Sequence, residues 1–328
     1  MKVTHSNHAL TDARDANVTA RISGTEKISG KLINPYLLVV AIVFSGIFGV
    51  IALRLKVNET AASKDFANAP SYAIWIASAS GVLMLSAFLS GLVWRDFQRA
   101  WSLASRATRY GTIAAYSLIG IATIFGTFWA ISPLYTPLFF FNWRALTLSI
   151  VTLVSSTTCF CGLLLVNGAI HKRAEPRGFD SLSAGESIRE LIKMKSSLRK
   201  FLICTATIIA AVMISLGALR NALNVYYETD LSSTGILVFG AILAGLLAVI
   251  SIPAYVAWRT SAQTLRDDLY PLPRDGRPSK DWYQGRSSLE TLLEMRVGTG
   301  QRFAVLAGIA SPIIISIVSV FIPTIHGG

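Results

Sequence analysis

Seven stretches of this chain contain no Asp, Glu, Lys, Arg or His, and each is long enough to cross a bilayer. They are Leu32–Leu53, Phe66–Trp94, Tyr110–Trp143, Ala145–Ile170, Phe201–Leu219, Leu231–Trp258 and Phe303–Ile325. A helix needs about 20 apolar residues to span the hydrocarbon. No water is available there to satisfy the backbone, so each stretch is expected to be helical. The third exceeds one crossing and contains Pro133 and Pro137. Its helix is expected at Tyr110–Ile131, with Ser132–Ala145 as a short aromatic loop. The expected fold class is all-α, an integral membrane bundle of about seven transmembrane helices.

Composition agrees. Of 328 residues, 52% are apolar and 15% charged, against roughly 25% charged in soluble domains. Mean hydropathy is +0.53. A disordered chain, a collagen-like chain and an ordinary soluble enzyme are excluded. Cys159, Cys161 and Cys204 all fall inside apolar stretches. They read as small buried hydrophobes, not as a disulfide framework or a zinc site.

The net charge of +12 raises the question of nucleic acid as a partner. Its distribution answers it. With the N-terminus in the cytoplasm, the inner segments 1–31, 94–109, 171–200 and 259–302 hold 25 Lys and Arg, and the outer segments hold five. That asymmetry is a positive-inside pattern, and no nucleic-acid partner is expected. The C-terminus then lies outside. Residues 1–31 are polar without sustained periodicity and read as a disordered cytoplasmic tail, and 32–325 as a single membrane domain. No cleavable leader or lipidation motif is seen. The arrangement is that of multi-pass proteins of bacterial inner (plasma) membranes, a likeness of class and not of motif.

Two cytoplasmic loops carry helix signals. Ser183 and Glu186 have capping-box spacing, followed by Ile188, Leu191, Ile192 and Leu198 at a helical period. Ser287 and Glu290 repeat the spacing, with Leu289, Leu292, Leu293 and Val297 following and Gly298 as the expected stop. Between Arg259 and this second helix, three prolines and Asp275-Gly276 predict an irregular loop.

No ionisable side chain lies in the interior of any stretch. Proton relays and haem-bearing bundles need such groups, so no relay, cofactor or metal is expected. The acidic pairs Asp267/Asp268 and Glu290/Glu294 lack histidine neighbours and read as solvated faces. No catalytic constellation is legible, although Asp96, Glu175, Asp180 and His171 are the acid/base candidates for an enzyme working at the inner surface.

Three further features are candidate sites. On one continuous helix, Arg95, Arg99, Arg106 and Arg109 would share a face, with Trp94, Phe97 and Trp101 on another. That pattern suits an interfacial helix contacting lipid headgroups, anionic ones in particular. The fourth stretch holds Thr152, Ser155, Ser156, Thr157 and Thr158 near mid-membrane, where hydroxyls bond between helices or line a polar path. Pro253 and Pro312 are candidate hinges. Small-xxx-small spacings at Ser86/Ser90, Ala87/Gly91 and Ala241/Gly245 suit close helix contacts. The leading expectation is a non-enzymatic membrane component that binds or responds to a protein partner through its cytoplasmic loops. A passive transporter or channel for a small solute, and an interfacial membrane enzyme, are the alternatives.

Overall fold

The computed structural model describes residues 43–47, 49, 51, 70–131, 139–173, 183–227, 233–273, 277–295 and 299–320. All regular structure among the described residues is α-helical, with no strand. The helices are α1 (Pro70–Leu103), α2 (Arg106–Ile131), α3 (Phe139–Arg173), α4 (Ala184–Tyr227), α5 (Thr234–Leu269), α6 (Lys280–Leu292) and α7 (Thr299–Val320). Within α1, α3, α4 and α5 lie four segments long and apolar enough to cross a membrane, and Ala307–Val318 is a shorter apolar helix. Most of the first stretch and the N-terminal tail lie outside the described residues.

Helix α4 is the centre of the bundle, packed against α1, α3, α5 and α7. It runs antiparallel to α1. Ser78 Oγ meets Ser215 Oγ at 3.5 Å near one end, and Lys200 meets Asp96 at 2.9 Å near the other. Helix α2 is peripheral and packs chiefly on α3. It buries a stripe four residues apart, Thr112, Tyr116 and Gly120, and leaves Tyr110, Leu118 and Ile121 exposed. Apolar side chains such as Phe88, Val154 and Val249 also point outward, as lipid-facing positions do.

Between helices in lipid, association rests on close packing because hydrocarbon already solvates apolar groups. Some glycines mark the contacts. A Cβ on Gly240 of α5 would come within 2.8 Å of Ser316 Cβ and 2.9 Å of the Pro312 carbonyl of α7. A Cβ on Gly162 of α3 would overlap the Phe201 ring of α4. Of the expected small-residue pairs, Ser86 and Ser90 are buried, whereas Ala241 and Gly245 are exposed. On α5 the close approach falls to Gly240, one position earlier in the helix.

Several expected boundaries move. The loop helix after Ser183 does not end before the fifth stretch. It continues through Leu198 and Phe201 as one 44-residue helix, about 66 Å long. Likewise α5 runs ten residues past Arg259 to Leu269, burying Ser261, Ala262 and Leu265 on the same face as Ala254 and Trp258. Charge ends a hydropathic run, but it does not end a helix whose apolar period continues. Helix α3 begins at Phe139, inside the expected aromatic loop, because nothing after Pro137 breaks it. The capping box at Ser183 holds: the Glu186 carboxylate accepts from Ser183 N–H at 3.1 Å and from its hydroxyl at 2.9 Å. The second one does not. Helix α6 is capped by Ser279, whose Oγ accepts from Trp282 N–H at 3.2 Å, which places Ser287 and Glu290 inside the helix. It stops before Gly298, at Leu292, with Glu294 in the left-handed region (φ 50°).

Candidate functional site

A cavity of about 220 Å³ opens between α1, α2, α3, α4 and α5. Trp75 and Ala79 come from α1, Tyr116 and Thr123 from α2, and Ser149, Thr152 and Ser156 from α3. Helix α4 adds Ile208, Val212 and Ser215, and α5 adds Phe239 and Leu243. Most of the wall is hydrocarbon. The polar groups among its described residues are hydroxyls, backbone and the Trp75 indole, with no Asp, Glu, Lys, Arg or His. The cavity lies in the half of the bundle away from the Asp96–Lys200 ion pair. Toward that ion pair side chains pack closely, with Ser90 on Cys159, Gly162 under Phe201, and Leu163, Leu247 and Trp258 fully buried.

The hydroxyl run of α3 divides its work. Thr152 and Ser156 line the cavity. Ser155 turns back to the Val151 carbonyl at 2.8 Å and accepts Ser90 at its own carbonyl, which ties α1 to α3. Thr157 returns to the Leu153 carbonyl at 3.2 Å, and Thr158 is not on the described wall. Consecutive hydroxyls point around the helix, so only the positions facing α2 and α4 reach the cavity. Sequence reading missed Tyr116. Its hydroxyl donates to the Leu153 carbonyl and lies 3.0 Å from Ser156 Oγ. The stripe Thr112, Tyr116, Gly120 was the available signal, since an isolated polar face on an apolar helix marks a contact.

The four arginines do not share a helix. The chain breaks at Ala104-Ser105, so Arg95 and Arg99 belong to α1, and Arg106 and Arg109 to α2. Ser105 caps α2, accepting from Thr108 N–H at 3.2 Å. Arg109 staples the joint. It donates to the Ala104 carbonyl at 3.0 Å and the Ser102 carbonyl at 3.2 Å, and its guanidinium stacks 5.5 Å from the Trp101 ring centre. Arg95, Arg99 and Arg106 are exposed. Trp94, Phe97 and Trp101 form a row along α1, with successive ring centres 5.7 Å apart. Pro253 and Pro312 stand inside continuous helices, α5 and α7.

A second polar group of residues sits at the charged end. Lys195 of α4 has an acceptor for each ammonium proton: the Leu293 carbonyl at 3.3 Å, the Glu294 carbonyl at 3.0 Å and the Glu294 carboxylate at 2.9 Å. It also lies 4.5 Å over the Trp258 ring, and Trp258 Nε1 donates to the Leu191 carbonyl at 3.0 Å. The neighbouring lysine holds the Glu294 carboxyl below its ordinary range. A left-handed non-glycine residue costs about 1–2 kcal/mol, and Glu294 adopts that conformation with its carboxylate on Lys195. Glu290 pairs with Arg266 at 3.0 Å, and Asp267 with Arg286 at 2.9 Å. Of the acidic residues that could have suggested a cation site, Asp267, Glu290 and Glu294 thus face arginine or lysine. No family model, curated protein or solved structure matches the chain.

Proposed function

We propose that this chain is a non-enzymatic, multi-pass component of the plasma (inner) membrane that binds a small neutral molecule in its bundle. It has seven spans, a cytoplasmic N-terminus and an outer C-terminus, so the cavity faces the outer leaflet. The observation that carries the reading is the cavity itself, walled by hydrocarbon and hydroxyls. Hydroxyls hydrogen-bond a neutral solute but do not titrate near pH 7, and a charged ligand would meet no counter-charge on the described wall. Packing between the cavity and the charged end favours binding over an open channel. Helix α4 supplies both Val212 to the cavity and Lys195 to the α6 contact. It supports a response passed to a protein partner at the cytoplasmic helices. Arg95, Arg99 and Arg106 are available there to anionic headgroups.

The second reading is a passive carrier, favoured by Thr152 and Ser156 on the cavity wall. Equilibrium binding and flux measured on the same sealed proteoliposomes separate the two. Saturable binding of a neutral solute without flux supports a binding component, and down-gradient flux supports the carrier. Accumulation driven by an imposed pH difference overturns both. Orientation is tested by reporter fusions, expected in the cytoplasm near Ser183 and Gly276 and outside after Gly328. The same side for all three overturns the seven-span topology.

A further inference from the structure

The hydroxyls on the cavity wall are not evenly spread, and their arrangement narrows the ligand. Tyr116, Ser156 and Thr157 all aim a hydroxyl at one backbone oxygen, that of Leu153, with Ser156 at 3.1 Å and Thr157 at 3.2 Å. The helix also directs the Thr157 N–H at that oxygen. A carbonyl oxygen offers two lone pairs, so donors outnumber the best acceptor sites. Tyr116 and Ser156 are both buried and 3.0 Å apart, and both belong to the cavity wall. Either hydroxyl can turn from Leu153 toward the cavity, and the carbonyl stays bonded by the others. Binding an acceptor there strands no buried polar group, which is the usual cost of breaking an internal hydrogen bond.

We infer that the ligand is a neutral, hydrocarbon-rich molecule carrying an acceptor oxygen, such as a ketone, ether or ester, held by Tyr116 and Ser156. This rests on the cavity being a binding site, and extends it to the ligand's chemistry. A cavity of about 150 Å³ holds benzene when its wall is wholly apolar. One of about 220 Å³ admits a medium-length chain with a single oxygen.

The test uses the full chain in lipid nanodiscs, with 2-octanone and n-octane as probes at matched mole fractions, read by thermal unfolding. Wild type is expected to bind the ketone about five- to tenfold more tightly than the alkane, the worth of one hydrogen bond. Tyr116→Phe combined with Ser156→Ala is expected to erase that preference, and Ser156→Ala alone to reduce it if the double variant does not fold. Ala79→Phe, which fills the cavity, is expected to abolish stabilisation by both probes. Equal affinity of wild type for ketone and alkane overturns the inference and leaves the cavity as a plain apolar site. No stabilisation by either probe, with Ala79→Phe indistinguishable from wild type, overturns the binding site itself.

Discussion

Gly162 on α3 lies directly beneath the ring of Phe201 on α4, with no room between them for a Cβ. Both residues belong to the packed layer that closes the cavity toward the charged end. The contact joins the first residue of one expected span to the inner third of another, and it sets how closely α3 and α4 approach.

Gly162→Ala is therefore expected to destabilise the bundle by about 1–3 kcal/mol, the range for overpacking. Phe201→Leu in the same chain should recover part of that loss. Thermal unfolding of the purified protein is the measurement. Additive losses in the double variant would mean that the two residues do not share a contact.

Lys195 is expected to hold α6 in place. Lys195→Met removes the ammonium from the Leu293 and Glu294 carbonyls and the Glu294 carboxylate while keeping most of the stem over Trp258. Docking of α6 should weaken by about 1–2 kcal/mol, less than a buried charged bond because Glu294 stays half exposed. Hydrogen exchange should accelerate across 277–295 and stay unchanged along α3. Equal acceleration in both regions would show a global loss of stability.

The same contact sets a pH dependence. Lys195 lowers the Glu294 carboxyl in the folded protein. A group depressed on folding contributes stability above its unfolded value, about 4.3 for glutamate, and loses it as pH falls through the folded value. Protection of α6 should hold constant from pH 7 to about pH 5 and fall only in the acidic range below the unfolded value. In Lys195→Met this share of the dependence should vanish. A loss of protection that begins near pH 6 would assign the effect to another group.

The arginines at the α1–α2 joint are expected to differ. Arg109→Gln removes bonds to the Ser102 and Ala104 carbonyls and the stacking on Trp101, so cleavage by a protease near Ser105 should become faster. Arg95→Gln, at an exposed position, should leave that cleavage unchanged. Similar effects for both substitutions would return them to one shared role.

What the sequence determined by itself is which described segments are apolar helices and some of their local chemistry. Charge-free runs placed the apolar helices. The Ser183–Glu186 spacing gave the start of α4, and the Trp94, Phe97, Trp101 period gave an aromatic row. These follow from hydropathy and from contacts within one or two helical turns. Helix continuity was less legible, because Lys200 and Arg259 end an apolar run without ending the Leu198–Phe201 and Trp258–Leu265 periods. The break at Ala104-Ser105 was not legible either, and one uninterrupted helical wheel placed on a single helix four arginines that the structure divides between two. Tertiary structure alone decided which hydroxyls matter. Ser155 and Ser156 are neighbours with the same side chain, and both hydroxyls reach back to their own helix, yet only Ser156 also lines the cavity and meets Tyr116. The difference lies in which face of α3 meets α2 and α4, and that is set by the close approach at Gly162 and Gly120 to side chains more than thirty residues away in sequence.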